Sequence, residues 1–220
     1  MRLGFYLLYY GIGKSLFTLV FRVVFRTDIA GRERVPLTDG LLVVCNHISF
    51  ADPPLLGTTM PRPVEFMAMA EMFHKPWMAW PLRAVGCFPV DRSRVDHGAV
   101  REAIRRLRAG RCIAIFPEAG IRLTKQSVLG GDPVLKPGAG SIALLAHAAV
   151  LPVIVRHTRK PYAWRNWLPI HRGRLQRETV SITFGRPFCL WNPEGLAADE
   201  RRERAETVVR EQLLKTVELN

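Results

Sequence analysis

Nearly half of the 220 residues are hydrophobic (48%) and 23% are charged, a balance that excludes a disordered or collagen-like chain and allows a globular core. At this length a single domain is the natural expectation. Lys and Arg number 32 against 19 Asp and Glu, so the formal net charge of +13 favours anionic partners such as phospholipid head groups, phosphorylated substrates or nucleic acid. Charge by itself does not choose among them.

Residues 1–26 form an apolar leader that predicts a membrane-associating helical segment. From Leu3 to Phe21 the only charged residue is Lys14, and the length approaches the ~20 residues that span a bilayer. Two glycines and the central lysine interrupt the run, which favours one or two helices lying in the membrane interface over a spanning helix. A secretory signal peptide is disfavoured because Arg2 is the whole positive n-region. A helix packed on the protein's own core is the alternative.

The rest of the chain, residues 27–220, alternates short apolar runs with helical patterns and contains no linker or internal repeat, which predicts a single α/β domain. Several runs are continuously apolar, as expected of strands whose two faces are both covered by helices. The predicted strands are residues 41–45, 64–69, 85–90, 112–116, 150–155 and 180–184. The predicted helices are residues 97–109, with Asp96 as N-cap and Gly110 as a stop, 138–149 and 198–217.

The cysteines and histidines do not suggest a metal centre. The cysteines show no C-x-x-C spacing and three of them lie in apolar runs, which predicts buried, reduced thiols. The histidines show no paired-ligand spacing, so no metal is expected. The residues concerned are Cys45, Cys87, Cys112 and Cys189, and His47, His74, His97, His147, His157 and His171.

The first candidate site, Asn46-His47-Ile48-Ser49-Phe50-Ala51-Asp52, follows the predicted strand 41–45. The carboxyl ends of strands are where open α/β sheets usually place their sites. On a regular helix His47 and Asp52 would lie about 140° apart, so a turn is needed to bring the carboxylate to the imidazole. That contact would fix the tautomer and stabilise the imidazolium, as the aspartate does in a Ser-His-Asp triad. A purely structural pair is the alternative.

A protein nucleophile is missing from this pattern. The chain has no G-x-S-x-G elbow, and Ser49 is as well placed to cap the following helix as to react. If His47 is a general base, the nucleophile is therefore expected to be a hydroxyl group of the substrate.

Charged residues follow a second predicted strand in Gly86-Cys87-Phe88-Pro89-Val90-Asp91-Arg92. The planar guanidinium of Arg92 suits a phosphate group. An ion pair with Asp91, or a solvated side chain at a strand end, is the alternative.

Two later segments carry further candidates. In residues 116–122, Glu118, Gly120 and Arg122 supply a carboxylate, a flexible turn and a base in succession, although an ordinary strand-to-loop turn would look similar. In residues 135–140, Lys136 precedes a predicted helix, and the helix N-terminus together with this lysine would attract an anion.

The segment from Arg156 to Arg177 carries seven Lys or Arg and no acidic residue, interleaved with Tyr162, Trp164 and Trp167. Such a composition suits a lipid interface or an acidic carrier protein. Single-stranded nucleic acid and an unspecialised solvated loop are the alternatives.

Four motifs in order resemble the 1-acyl-sn-glycerol-3-phosphate acyltransferase family of glycerolipid acyltransferases over about residues 31–187. They are N-H-x-x-x-x-D at 46–52, G-x-F-P-V-x-R at 86–92, F-P-E at 116–118 and L-P-V-I-V at 151–155. The resemblance implies the α/β fold of the glycerolipid acyltransferases, with a mixed, mostly parallel sheet flanked by helices. The family usually reads F-P-E-G-T-R, whereas here Ala119, Gly120 and Ile121 follow the glutamate and the arginine comes one place late. The role of Arg122, and with it the acceptor head group, is therefore open.

The resemblance also implies a division of roles among the candidate residues. His47 and Asp52 would be catalytic, with Asn46 and Ser49 supporting them. Arg92 would bind the acceptor's phosphate. The other members of the acceptor site would be Glu118, Gly120, Arg122 and Lys136.

The implied reaction moves an acyl chain from acyl-CoA or acyl carrier protein, as co-substrate, to a lysophospholipid hydroxyl, with no cofactor. The first acceptor is 1-acylglycerol 3-phosphate, and another lysolipid such as a lyso-ornithine lipid is the alternative. The expected location is the cytoplasmic face of the inner membrane, at an anionic lipid surface.

The sequence also suggests two other classes of protein. A basic, non-enzymatic nucleic-acid-binding protein rests on charge alone, so nucleic acid is not an expected partner. A dinucleotide-binding enzyme is suggested by G-x-G-x-x-A at residues 138–143, but no preceding strand and no later acidic residue support it.

Overall fold

The computed structural model describes residues 3–121, 125–158, 170–171, 174–175, 177–190 and 195–219. Helices are α1 Leu3–Val24, α2 Asp52–Thr59, α3 Pro76–Ala84, α4 His97–Arg108, α5 Ala139–Ala146 and α6 Ala198–Val217. Strands are β1 Phe25–Ala30, β2 Leu41–Cys45, β3 Glu65–Met69, β4 Phe88–Val90, β5 Cys112–Ile115, β6 Ala149–Arg156, β7 Ile170–His171, β8 Arg174–Leu175 and β9 Glu178–Phe184.

Seven strands form one sheet in the order β1-β9-β6-β2-β5-β3-β4. Every neighbouring pair is parallel except β6 with β9. The short strands β7 and β8 form a separate antiparallel pair. The prediction of an α/β fold with a mixed, mostly parallel sheet is confirmed.

The two faces of the sheet carry two separate hydrophobic cores, because successive side chains of a strand point to opposite faces. In the central strand β2, Leu41, Val43 and Cys45 belong to the core that includes Leu55 and Leu56 of α2. The other two residues of β2 belong to the core under α4, α5 and α6. All five residues of β2 are buried, which explains its continuous apolar sequence.

Helix α1 packs on this body through its C-terminal half. Phe21 is buried in the first core, and the Lys14 ammonium donates a hydrogen bond to the Met60 carbonyl at the end of α2, 2.5 Å away. The opposite face is apolar and exposed at Ile12, Leu16, Leu19 and Val23. No helix within the described residues combines the length and the apolar character needed to cross a bilayer.

Several predicted elements agree with the structure and others do not. Helix α6 has its predicted bounds, and Asp96 caps α4 by accepting the Ala99 N–H. The predicted strand 85–90 is wrong at its start, because α3 continues to Ala84 and Gly86 turns the chain at φ +83°. The predicted helix 138–149 ends early, because His147 adopts φ +54° and β6 begins at Ala149.

The cysteines agree with the predicted buried thiols at three of four positions. Cys45, Cys87 and Cys112 are buried and free, whereas Cys189 is exposed. Burial raises the pKa of the Cys87 and Cys112 thiols to about 12, so both stay protonated at neutral pH.

Candidate active site

The site lies where three neighbouring parallel strands end. Strands β5, β2 and β6 are adjacent in the sheet, so the segments that follow Ile115, Cys45 and Arg156 emerge at the same edge. The topology therefore brings together the motifs at 46–52, 116–118 and 151–155, as the rule for strand ends predicts. The motif at 86–92 contains β4, which runs parallel to these strands and ends on the same side of the sheet.

The structure brings His47 and Asp52 together in a tight turn. His47 Nδ1 and Asp52 Oδ2 lie 2.9 Å apart. The same carboxylate oxygen accepts the backbone N–H groups of Ile48 at 2.7 Å and Ser49 at 2.8 Å. Asp52 begins α2, so its carboxylate folds back over the turn that it terminates. The five-residue spacing thus gives a direct contact that a regular helix would not allow.

Thr158 completes the carboxylate's surroundings and was not predicted. Its hydroxyl donates to Asp52 Oδ1 at 2.5 Å, and both residues are fully buried. The sequence could have indicated Thr158 only by its position, because it lies two residues after β6, and residues that follow strand ends form the site. Nothing in its local sequence marked it.

Asn46 fastens the start of the turn to β6. Its side-chain amide donates to the Val155 carbonyl at 2.9 Å, and its side-chain oxygen accepts the Val155 N–H at 2.7 Å. Both bonds are buried. Since Asn46 directly follows β2, its side chain extends the hydrogen bonding between β2 and β6 by one residue.

Ser49 shapes the same turn. Its hydroxyl accepts the Ala51 N–H at 3.1 Å and its carbonyl accepts the Asp52 N–H at 3.1 Å. This is a serine turn ahead of α2 and not a helix cap, because the N-cap position is Ala51 and no side chain caps that helix. Among the described residues no serine hydroxyl bonds to the His47 ring.

The imidazole of His47 keeps one nitrogen open. Its ring stacks on Phe116 with centroids 4.4 Å apart, and 8% of the side chain is exposed. Nε2 has no hydrogen-bond partner within the part of the chain that the structure describes. With the Nδ1 proton donated to Asp52, Nε2 carries the lone pair that can accept a proton.

Glu118 lies beneath the dyad and points inward. Its Oε2 accepts the His47 N–H at 2.8 Å, and its Oε1 accepts the Val128 N–H at 2.7 Å and the Ser127 hydroxyl at 3.2 Å. Burial raises the pKa of this carboxyl, and the hydrogen bonds from Val128 and His47 offset part of that rise. The carboxylate is fully buried, and the place in the acceptor site that the resemblance implies for Glu118 stays a prediction.

A cleft of about 410 Å³ opens beside the dyad. Arg92, Arg94 and Lys136 contribute its cations, and Asp91 and Asp96 line it as well. Phe116 joins the cleft to the ring of His47. Burial lowers the pKa of the Arg92 guanidinium, and the negative charge of Glu71 offsets part of that effect. No carboxylate among the described residues forms an ion pair with Arg92, because Asp91 pairs with Arg94 at 2.9 Å instead.

Lys136 supports the Arg92 loop directly. Its ammonium donates to the Arg92 carbonyl at 2.9 Å, and its own N–H donates to the Pro117 carbonyl at 2.8 Å. The lysine therefore joins the segments after β4 and β5 across the cleft.

The N-terminus of α5 is not an open anion site, and this expectation is corrected. The Glu206 carboxylate of α6 accepts the N–H groups of Gly138 at 2.9 Å, Gly140 at 3.1 Å and Ser141 at 2.9 Å. Gly140 allows this approach, because a Cβ there would lie 2.5 Å from the α6 backbone. A side chain of the protein already supplies the negative charge that this helix end favours.

An apolar pocket of about 220 Å³ lies next to Phe66, whose ring stacks on Phe116 with centroids 6.3 Å apart. Phe17 of α1, Pro53 and Pro54 of α2 and Val85 after α3 are among its other walls. Phe116 also lines the cleft and stacks on His47, so two ring contacts connect the pocket wall to the imidazole.

Residues 26–156, more than half of the chain, match the Acyltransferase family. The chain belongs to this family. The resemblance drawn from the four motifs is confirmed.

The acyltransferase relatives carry related names. A 1-acyl-sn-glycerol-3-phosphate acyltransferase of Bacillus subtilis is 30% identical over 56% of this chain and 59% of its own length. A protein of that name from Streptococcus pneumoniae is 28% identical over 79% of this chain and 62% of its own. A lyso-ornithine lipid O-acyltransferase of Pseudomonas aeruginosa is 29% identical over 80% and 69%. The chain thus spans about three fifths of the first two relatives.

The fold is shared with a solved acyltransferase. The crystal structure of the 1-acyl-sn-glycerophosphate (LPA) acyltransferase PlsC from Thermotoga maritima matches with a TM-score of 0.62 at 25% identity. The match covers 96% of this chain and 79% of that one.

At the point where this acyltransferase departs from its family's third motif, the backbone is in the left-handed region. Ala119 has φ +52°, a conformation that favours glycine, and the usual family pattern has glycine there. At Gly120 a Cβ would meet nothing within 4 Å, so no close approach requires that glycine. Arg122 lies outside the described residues, as do Tyr162, Trp164 and Trp167.

Within the described residues, no group of three His, Cys, Asp or Glu side chains is arranged to hold a metal ion. The polar groups that the structure describes at the site are the dyad with its supporting hydrogen bonds and the charged side chains of the cleft.

Proposed function

We propose that the protein is an O-acyltransferase that moves a fatty acyl chain from an acyl thioester to the free hydroxyl of a lysophospholipid, with 1-acylglycerol 3-phosphate as first acceptor. The observation that carries the proposal is the 2.9 Å contact of His47 with Asp52, next to a cleft that Phe116 lines while its ring stacks on His47.

In the proposed mechanism, Nε2 of His47 removes the proton of the acceptor hydroxyl as its oxygen attacks the thioester carbonyl. Asp52 stabilises the imidazolium that forms, and Thr158 and two backbone N–H groups hold the carboxylate in place. Collapse of the tetrahedral intermediate forms the ester and expels the thiolate, which takes the proton back from His47. General base catalysis of this kind contributes about 10²- to 10⁴-fold.

The two cavities support a ligand with an anionic head and an apolar tail. Arg92 offers a partly desolvated guanidinium without a described carboxylate partner, which is suited to a phosphate. The pocket behind Phe66 is lined chiefly by apolar groups and suits an acyl chain. The acyl donor, acyl-CoA or acyl carrier protein, is proposed on the thioester chemistry alone, with no further cofactor.

A lyso-ornithine lipid is the second candidate acceptor. The observation that favours it is the match to a lyso-ornithine lipid O-acyltransferase, which covers 80% of this chain and 69% of that relative. The changed third motif at Ala119 leaves the acceptor head group open. An acceptor without phosphate would depend less on Arg92 than 1-acylglycerol 3-phosphate does.

We also propose that residues 1–26 associate with an anionic membrane surface, with the site on the cytoplasmic side of the inner membrane. The exposed apolar face of α1 supports this, and so do Trp77 and Trp80, which are exposed on adjacent turns of α3. Vesicle sedimentation tests it. Retention on anionic vesicles is expected, and equal amounts of free protein with and without lipid would contradict it.

An acceptor panel tests the proposed activity. Detergent-solubilised protein and one acyl-CoA are mixed with 1-acylglycerol 3-phosphate, another lysophospholipid, a lyso-ornithine lipid or no acceptor, and free thiol is measured. Thiol release that requires a lysolipid is expected. Release that ignores the acceptor, or none with any acceptor and either thioester donor, would contradict the proposal.

A further inference from the structure

We propose that Glu118 is a positioning residue that holds the backbone of His47, and that it does not contact the acceptor. The inference rests on the proposed function and concerns how the same site is kept in its reactive geometry. Its starting point is the 2.8 Å hydrogen bond from the His47 N–H to Glu118 Oε2, which joins residues 71 positions apart in sequence.

One carboxylate ties together three segments of the chain. Glu118 itself follows β5, while its oxygens accept from His47 after β2 and from Ser127 and Val128 in a third segment. The N–H groups of Ile48, Ser49 and Ala51 are held within the turn, by Asp52 and Ser49. Asn46 ties the residue before the histidine to β6, and Glu118 accepts the N–H of the histidine itself from outside the turn.

The side chain also faces the wrong way for an acceptor. Pro117 and Ala119 line the basic cleft, whereas Glu118 between them is fully buried and points to the protein interior. The Ala119 N–H closes a turn onto the Phe116 carbonyl at 3.0 Å, which fixes this alternation. A lipid head group in the cleft would meet the backbone of this motif and not its carboxylate.

Burying an ionised carboxylate has an unfavourable desolvation free energy, so a functional reason for Glu118 under the dyad is expected. Burial disfavours the charge of Glu118, whereas attraction to His47 favours it. A well-packed apolar residue would often serve stability as well or better. A negative charge at this place, however, favours the positive imidazolium that forms as His47 takes the proton.

The neutral variant Glu118→Gln distinguishes the two roles. An amide has one acceptor oxygen, so the N–H group of either His47 or Val128 would face another donor. Misplacement of a reacting group by about 1 Å costs on the order of 100-fold in rate. We therefore expect kcat to fall by about that factor while KM for the acceptor stays within about threefold. If Glu118 contacted the acceptor, Glu118→Gln would instead raise KM for the acceptor.

Glu206→Gln is the matched control. Glu206 is a second carboxylate whose two oxygens accept backbone N–H groups, but it serves the end of α5 and not the dyad. Thermal unfolding of both variants measures the general cost of losing such a group. At a comparable loss of stability, kcat of Glu206→Gln should remain within about threefold of the unchanged protein.

The outcomes separate the alternatives. A rise of more than about tenfold in acceptor KM for Glu118→Gln, with kcat retained, would show that Glu118 contacts the substrate. An equal fall in kcat for Glu118→Gln and Glu206→Gln would show that Glu118 serves only the stability of the fold. If Glu118→Gln does not fold, Glu118→Asp, which keeps the charge but is one methylene too short, is judged by the same kcat and KM criteria. Inactivity of the unchanged protein with every acceptor would refute the proposed function; normal activity with the wrong response at Glu118 would refute only this inference.

Discussion

The turn that carries His47 and the cleft that carries Arg92 are built in opposite ways. In the turn, side chains from three neighbouring segments hold the groups: Asn46 on β6, Thr158 on Asp52 and Glu118 on the His47 backbone. In the cleft, Arg92 is only half-buried and its guanidinium has no described carboxylate partner. Under the proposed function, the groups that react are fixed by the protein, whereas the groups that bind the acceptor's phosphate are left for the ligand to complete.

The largest expected effect comes from the fixed turn. Replacing His47 with Ala removes the proposed base while leaving both cavities, so kcat should fall by about 10²- to 10⁴-fold with little change in acceptor KM. Steady-state kinetics on purified protein measures this. A variant that still transferred acyl chains at near the original rate would show that the imidazole is not the base.

The open cleft should respond in KM. Arg92→Ala removes one charge-assisted contact to a phosphate, worth roughly 1.5–3 kcal/mol, or about 10- to 150-fold in KM for 1-acylglycerol 3-phosphate. Arg101→Ala is the matched control, because that arginine is exposed on α4 and its loss lowers the net charge equally. Equal KM values for Arg92→Ala and Arg101→Ala would show that Arg92 does not bind the acceptor's phosphate.

Backbone strain at the rim of the cleft should give the smallest effect. Because Ala119 has φ +52°, Ala119→Gly should stabilise the protein by roughly 0.5–1 kcal/mol, a rise in Tm of about 1–4 °C. Ala109→Gly is the control, since its φ of −84° gives glycine no such advantage and a lower Tm is expected there. A lower Tm for Ala119→Gly would mean that the left-handed conformation costs little.

The difference between the two regions also explains what the sequence predicted. The His47–Asp52 contact is local, five residues apart, so its spacing could be interpreted directly. Thr158 and Asp52 are 106 residues apart, and the bond from His47 to Glu118 joins residues 71 apart. Only the topology brings such pairs together, which is why the sequence indicates neither Thr158 nor the bond from the His47 N–H to Glu118.

Helix α3 is absent from the predicted helices for a local reason. It has one proline at its start and another inside, so its segment looks like a helix breaker in sequence, whereas α2, with prolines in its first turn, is the helix expected after Ser49. Proline is tolerated in the first turn because those N–H groups have no intrahelical partner. The buried strands were predicted well because continuous apolar runs, as in β2, are typical of a sheet covered on both faces.

The central claim is that His47, held by Asp52, activates the acceptor's own hydroxyl without an acyl-enzyme. The most direct measurement is a single-turnover reaction of protein in excess over acyl-CoA, following free thiol and protein mass with and without a lysolipid. Thiol and ester should appear at the same rate, and only when the acceptor is present. A burst of thiol without acceptor, with an acyl chain added to the protein mass, would contradict the account.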